Sequence, residues 1–336
     1  MEKSAFAVAL LKWFAQYGRE LPWRGISDPY AIWVSEVILQ QTRIDQGRDY
    51  WHRFMERFPT VEALAAATED EVLLLWQGLG YYSRARNMHA AARQIVEQGG
   101  FPRTIEGLRA LKGVGDYTAA AVGSMAFGLP AAAVDGNVYR VLARHYGIDV
   151  PVNTTRGKHT FEALAQELLP EPEDKASVFN QAMMDFGATW CTPKSPRCIV
   201  CSVAETCVAL RTGRINELPV KEKKLKVQER HFSYVYIRHE GQTALRRRPA
   251  GDIWQGLWEP LLVEDGLLPD LNCPLTLLAS DVKHVLTHRI LLADFYLAEP
   301  EVRPELSHDY IWIEERDLGN YALPRLIEKL LDYLAK

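Results

Sequence analysis

Residues 111–127 read LKGVGDYTAAAVGSMAF, a short helical end joined to a longer helix through Gly113-Val114-Gly115. Two glycines one residue apart let the backbone turn tightly and bring its N–H groups close to an anion, and the helix that follows adds the positive end of its dipole. A phosphate held this way needs no lysine or arginine. A lone G-x-G also serves as an ordinary helical turn, so the segment takes its meaning from its neighbours. Working outward, helical signals dominate on both sides. Asp28 and Pro29 supply an N-cap and a first-turn residue for the apolar run AIWVSEVIL at 31–39, and apolar residues recur at helical intervals from Ser4, a possible cap, to Tyr17. Further helices fit roughly 47–58, 69–77, 82–98, 104–111, 116–127, 136–146, 155–168 and 174–187, so the first two hundred residues read as all-helical.

After Cys207 the texture changes. RTGRINELPVKEKKLKVQER (211–230) has few large apolar residues, and residues 208–230 hold seven basic and three acidic side chains in a chain whose formal net charge is −4. From Arg230 onward, alternating runs such as HFSYVYIRH (231–239) and RILLADFYL (289–297) are separated by Gly- and Pro-containing turns, and a last helix fits 323–335. The division expected is 1–210, all-α with a cysteine loop at 191–207; 211–229, a basic linker; and 230–336, α+β. A length of 336 residues suits two cores, and 48% hydrophobic with 24% charged residues is the composition of a folded protein, not a disordered or fibrous one. No stretch approaches the roughly 18 apolar residues of a membrane span, and MEKSAFAVALLKWF has no small-residue cleavage site. A cytoplasmic monomer without membrane partners is expected, nucleoid-associated if bacterial.

Four of the five cysteines fall within seventeen residues as Cys191-x6-Cys198-x2-Cys201-x5-Cys207. Four thiolates from one short loop suit zinc or an iron–sulfur cluster. Zinc ribbons usually present two C-x2-C pairs and this loop has one, which favours the cluster. Cys273 stands apart and reads as a partly buried thiol.

Two carboxylates stand out. Asp135, in VDGNVYRVLAR (134–144), precedes a helix beginning near Gly136, and an N-cap is a sufficient explanation for it. A capping carboxylate is also kept ionised by N–H groups and the helix dipole, ready to stabilise a developing positive charge. Glu36 sits among Ile32, Trp33 and Leu39 on its helix; either it turns to solvent or an ion pair, or burial raises its pKa towards that of a general acid. Together the two have the pattern of an acid and an electrostatic stabiliser with pKa values pushed apart.

Taken jointly, the glycine hairpin, the aspartate twenty residues later and the cysteine loop resemble the helix–hairpin–helix DNA glycosylases that carry a four-iron, four-sulfur cluster. LPWR (21–24), WVSEVILQQTR (33–43), GLGYYSRARN (78–87), VDGNVYRVLAR (134–144) and FNQAMMDFGA (179–188) resemble the MutY branch, the adenine-specific family, over almost the whole chain. The resemblance implies hydrolysis of the glycosidic bond of adenine mispaired with 8-oxoguanine or guanine in duplex DNA. Glu36 is then the acid and Asp135 the stabiliser, with Tyr117 and Asn137 at positions that orient Asp135 and polarise the sugar or water. Gln41 and Tyr81 match intercalating positions. Arg19, Trp23, Arg24 and Gln181 match the adenine pocket, and Gly113 and Gly115 a phosphate site. Arg84 and Arg86 are candidate phosphate contacts, like Lys194 and Arg197 in the cluster loop. Cys191, Cys198, Cys201 and Cys207 would hold one four-iron, four-sulfur cluster in a structural role.

The endonuclease III branch has a lysine just after the hairpin, which forms a Schiff base. Tyr117 stands there, and Tyr139 occupies a position that is lysine in some relatives, so monofunctional hydrolysis is expected. The C-terminal part resembles a Nudix-like recognition domain without the R-E-x-x-E-E run of a pyrophosphatase. Leu286-Thr287-His288 stands where many members have Phe-Ser-His, leaving Thr287 and His288 to contact the oxidised base. The alternatives are an endonuclease III-like glycosylase for oxidised pyrimidines and a non-catalytic cluster-dependent DNA-binding module. Convergence of Glu36 and Asp135 on one cavity separates enzyme from binder.

Overall fold

Helix α2 (Pro29–Leu39) is buried from Tyr30 through Ile38, so the run that reads as one apolar stretch in sequence is the centre of a helical core. Asp28 caps it, its carboxylate accepting the N–H groups of Tyr30 and Ala31. The computed structural model describes residues 3–171, 175–222 and 227–335. Asp174, Lys223, Lys224, Lys226 and the side chain of Ser4 lie outside the described residues, and with them the expected start of one helix, part of the basic linker and one cap. The chain divides into two units, Met1–Ala65 with Ala90–Lys223 and Ala66–His89 with Lys224–Lys336.

The first unit is helical. It contains α1 (Lys3–Tyr17), α2, α3 (Ile44–Arg57), most of α4 (Val61–Ala66), the second half of α6 (Ser83–Glu97), α7 (Ile105–Arg109), α8 (Asp116–Phe127), α9 (Gly136–Tyr146), α10 (Thr155–Glu167), α11 (Ala176–Thr189) and the short α12 (Val208–Arg211). Helix α2 packs on α3 and α8, and α11 on α1, α8 and α9. Phe6, Leu10, Trp13, Val141, Leu142, Phe161, Phe179, Met183 and Phe186 form one core. Helix α3 begins earlier than its pattern suggests, because Arg43 stands at its N-cap without a side-chain bond and leaves no start signal. Within the stretch read as linker, Leu218 is buried in this core and Ile215 and Val220 pack against it.

The second unit is α+β. Its seven-stranded sheet runs β3 (Trp258–Glu259), β2 (Gln242–Arg247), β1 (Gln228–His239), β6 (Arg289–Ala298), β5 (Leu275–Val285), with β4 (Leu261–Glu264) paired to β1 and β7 (Tyr310–Glu314) to β2. Strands β1 and β6 are parallel, in register from Gln228↔Arg289 to Ile237↔Ala298, and the other pairs are antiparallel. Helix α13 (Arg325–Leu334) buries Leu326, Ile327 and Leu330 against Phe232, Tyr234 and Phe295. This unit also takes α5 (Glu69–Trp76) and the start of α6, which sequence order alone assigns to the helical part. Arg86 donates to the Gln255 carbonyl at 2.6 Å, Gln77 to Glu328 at 2.6 Å, and Arg247 to Glu69 at 3.1 Å, so polar bonds spaced along 66–89 hold it there.

Candidate active site

Helix α2 carries Glu36 into the first unit with 6% of its surface exposed. Helix α8 begins at the hairpin, where Gly113 has φ +76° and Gly115 is an N-cap without a side-chain bond. One residue into it, Tyr117 donates its hydroxyl to Glu36 Oε2 at 2.6 Å. Burial pushes the Glu36 carboxyl up to about 7; the Tyr117 bond opposes this, the charge of Asp135 adds to it and Arg24 again opposes it. The reading of Glu36 as a desolvated acid rather than a solvent-facing one agrees with this placement.

Asp135 caps α9. Its Oδ1 accepts the N–H groups of Asn137 and Val138, both at 2.9 Å, and its Oδ2 accepts Asn137 Nδ2 at 2.7 Å. The expectation that the surroundings of Glu36 and Asp135 push their pKa values in opposite directions needs correction. At Asp135 burial outweighs these donors and moves the group upward, although the Asn137 and Val138 bonds and the Arg140 charge pull the other way. Both carboxyls are thus raised by the same cause, Glu36 to about 7, and the three donors on Asp135 mark it as the one built to carry charge.

Glu36, Asp135, Tyr117 and Asn137 line one cavity of about 1100 Å³, together with Arg19, Trp23, Arg24, Gln41 and Gln181. The nine residues come from five separate stretches of sequence. Asp185, which sequence reading missed, binds two of them: fully buried, it accepts Arg19 Nη2 and Arg24 Nη2, each at 2.5 Å. Burial is the largest single effect on its carboxyl and raises it, but the hydrogen bonds from Arg24 and Arg19 together outweigh it and hold the pKa below the ordinary value. Arg140 was missed too. It donates to Asn137 Oδ1 at 2.7 Å, Gly187 O at 2.6 Å and Cys191 O at 2.8 Å, so a chain of bonds runs from Asp135 to the cysteine loop. A Cβ at Gly187 would stand 2.6 Å from Asn137 Cβ, and only glycine admits this approach. Trp23 is buried, as core tryptophans are, and still presents a face to the cavity.

The hairpin glycines lie outside this cavity. Gly113 and Gly115 are exposed, and a Cβ on Gly115 would meet nothing within 4 Å, so the hairpin lies at the surface at the start of α8. Gln41 has φ +58° and Tyr81, 45% exposed, φ +46°. Such left-handed backbone is strained for residues with a Cβ and collects at functional sites. Nothing in the residue types announces it.

Four thiols line a second, apolar cavity: Cys191, Cys198, Cys201 and Cys207, with Val141, Phe186 and Val203. Burial raises Cys198, Cys207 and Cys201, the last to about 11, and neighbouring thiols add to it. Arg144, buried at the wall, donates to the carbonyls of Thr192, Pro193, Ile215 and Leu218 and lies 3.5 Å from Cys191 Sγ.

In the second unit the turn between β5 and β6 carries Thr287 and His288, both exposed, and is closed by the Leu286 N–H on Arg289 O at 2.8 Å. Its Thr287 Oγ1 lies 2.7 Å from the Tyr81 hydroxyl. Arg84 and Arg86 require correction as solvent-facing phosphate contacts. Arg84 lies over the Trp76 ring and donates to Leu79 O and Gly80 O, with burial lowering it to about 10, and Arg86 is spent on Gln255 O. Their length and the apolar surface beneath them draw both inward.

The fold is that of a helix–hairpin–helix protein with a Nudix-type second domain. Residues 34–178 match the HhH-GPD superfamily base excision DNA repair proteins, and residues 233–333 match the NUDIX domain. The adenine DNA glycosylase of Mus musculus is 44% identical over 230 residues, which are 64% of this chain and 44% of the mouse protein, so the match spans less than half of that relative. That of Buchnera aphidicola subsp. Schizaphis graminum (strain Sg) is 34% identical over 256 residues, 75% of this chain and 73% of its own. A solved thermostable thymine-DNA glycosylase superposes with a TM-score of 0.58 at 30% identity, covering 62% of this chain and 97% of that one. The chain belongs to the adenine DNA glycosylase family. Among its described residues no helix is long and apolar enough to cross a membrane.

Proposed function

We propose that this chain is a monofunctional adenine DNA glycosylase, which hydrolyses the N-glycosidic bond of adenine mispaired with 8-oxoguanine, or with guanine, in duplex DNA. The observation that carries the reading is a buried carboxyl with a pKa of about 7, bonded to Tyr117 at 2.6 Å, facing the same cavity as Asp135. Adenine leaves poorly as an anion. A carboxyl half-protonated near neutral pH can deliver a proton to the purine N7 as the bond to C1′ lengthens. The sugar then carries oxocarbenium charge, which the Asp135 carboxylate stabilises from its cradle of three N–H donors. Water, deprotonated by Glu36 in its second role, adds to C1′ and completes an abasic site. Tyr117 and Tyr139 present phenols to the cavity where an amine would form a Schiff base. Strand cleavage therefore has no nucleophile in these two positions.

Extruding the adenine costs about a few kcal/mol. Gln41 and Tyr81, exposed and in left-handed backbone, are suited to fill the gap. Arg19 and Arg24, oriented by Asp185, and Gln181 offer polar groups to the base edge, and Trp23 a flat face. The exposed hairpin at Gly113 and Gly115, at the N-terminus of α8, would take a phosphate. Thr287 and His288 supply a hydroxyl and an imidazole for the oxidised base opposite. The second cavity fits an iron–sulfur cluster. Four soft sulfur donors line it, a donor set that suits such a cluster. Cys191, Cys198, Cys201 and Cys207 would hold the cluster, whose contribution is to fix the loop; Lys194 and Arg197 on that loop would meet phosphates.

The test is single-turnover adenine release from duplexes containing A:8-oxoguanine, A:G or A:T, for wild type, Glu36→Gln and Asp135→Asn, scored with and without alkali. Release from the mispairs alone, with breaks only after alkali and lost in both variants, is expected. Binding without release would end the reading.

A further inference from the structure

The Tyr117 hydroxyl has one proton and two acceptors within reach, Glu36 Oε2 at 2.6 Å and Met184 Sδ at 3.1 Å. A thioether is a weak acceptor, so the carboxyl takes the proton. Met184 lies on α11 and lines the cavity with Glu36 and Asp135. It is partly exposed there, whereas its neighbour Met183 is buried in the core. A small oxidant entering the cavity therefore meets this sulfur and not the next one.

We infer that Met184 is an oxidation site that switches the enzyme off, by taking the Tyr117 hydrogen bond away from Glu36. The inference rests on the roles given to Glu36 and Tyr117 above. In the chemical step the sulfur lone pair attacks one oxygen of hydrogen peroxide and the O–O bond breaks. One oxygen stays on sulfur, which is oxidised by two electrons, and the other leaves as water once the two protons are redistributed. The product sulfoxide carries a strongly polarised oxygen, a far better acceptor than the thioether it replaces. It competes for the single Tyr117 proton at a site already within hydrogen-bonding reach. Glu36 then loses the 2.6 Å contact that positions its carboxyl on the cavity wall, so the acid is no longer held for proton delivery to the base. The oxidised side chain is also bulkier and polar on a wall that must accept a flat purine. Both effects slow the reaction. Methionine sulfoxide reductases reverse the change, so the site returns to activity when the oxidant is gone.

The experiment exposes the cluster-containing protein to hydrogen peroxide and maps methionine oxidation by peptide mass spectrometry. Adenine release from A:8-oxoguanine duplex is then measured, with absorbance near about 400 nm followed as a check on the cluster. Expected is a rate loss on the order of tenfold, the factor for one charge-assisted hydrogen bond. It should track oxygen gain at Met184 and be restored by methionine sulfoxide reductase. Met184→Leu, whatever its starting rate, should not fall further under the same exposure, while Met125→Leu, changed on the same cavity wall, should fall as wild type does. Full rate in protein oxidised at Met184, parallel loss in Met184→Leu, or failure of the reductase to restore activity would overturn the inference. Untreated protein that releases no adenine would instead remove the functional reading on which it stands.

Discussion

Replacing Glu36 by glutamine should make the protein more stable, and only above a definite pH. The carboxyl titrates at about 7 in the folded chain against an ordinary 4.5. Because the folded pKa is the higher one, the folded state holds a proton that the unfolded chain has released between these values. Stability is then full below 4.5, declines as pH rises towards 7 and is flat above it. The ionised form at the buried site costs about 3 kcal/mol above that window, and about 1 kcal/mol at pH 5. Glutamine keeps an oxygen for the Tyr117 hydroxyl and has no proton to lose. The variant should therefore gain about 1 kcal/mol at pH 5 and about 3 kcal/mol at pH 8. In a domain of this size the difference is roughly 4–8 °C more Tm gain at pH 8. Thermal melts of both proteins at the two pH values read it directly. An equal gain at pH 5 and 8, or none at pH 8, would show that Glu36 is not held as an uncharged acid.

The same titration predicts the rate: with Glu36 as acid, single-turnover adenine release should fall tenfold per pH unit well above 7, and a flat profile from pH 7 to 9 would exclude that role. Tyr117→Phe removes a bond that favours the ionised carboxyl, so the falling limb should move to higher pH by about one unit while the rate at its plateau drops. Asp185→Ala leaves Arg19 and Arg24 without their shared carboxylate and should destabilise the first unit by about 3–5 kcal/mol, measured by urea unfolding. Cys201→Ala should abolish the broad absorbance near about 400 nm; an unchanged spectrum would remove the cluster assignment.

How much of this was legible beforehand follows the range of the physics involved. Glu36 stood out because a charge inside AIWVSEVIL contradicts its surroundings, and the contradiction is local. The cysteine spacing and the hairpin glycines are likewise local patterns. Asp185 gave no such sign, since DFG at 185–187 looks like any helical stretch until two arginines more than 160 residues away close on it. The inward turn of Arg86 had the same long-range origin, a carbonyl at 255, whereas Arg84 turns onto nearby partners, the Trp76 ring and the carbonyls of Leu79 and Gly80. The left-handed backbone at Gln41 and Tyr81 was invisible for another reason, because neither residue type prefers it and tertiary contacts impose it. The same holds for 66–89. Its helical pattern assigned it correctly as helix and said nothing about which core it joins, a choice made by side-chain bonds to Gln255, Glu328 and Arg247.

The price of the acid shows why the site is surrounded as it is. Ionised Glu36 is unfavourable where it stands, and the apolar packing that makes it so, from Tyr30 to Ile38, is also what holds α2 in place. That packing holds Glu36 on the wall of the site's cavity. Its polar members are instead tied down by bonds that do not involve Glu36: Asp185 fixes Arg19 and Arg24, and Arg140 fixes Asn137 and through it Asp135. These contacts leave Tyr117 as the hydroxyl that adjusts the acid. A single adjustable bond on an otherwise rigid frame concentrates control at one position. It follows that a change at Tyr117, or at the sulfur beside it, should alter the pH dependence of the reaction more than the stability of the fold, whereas a change at Asp185 or Arg140 should do the reverse.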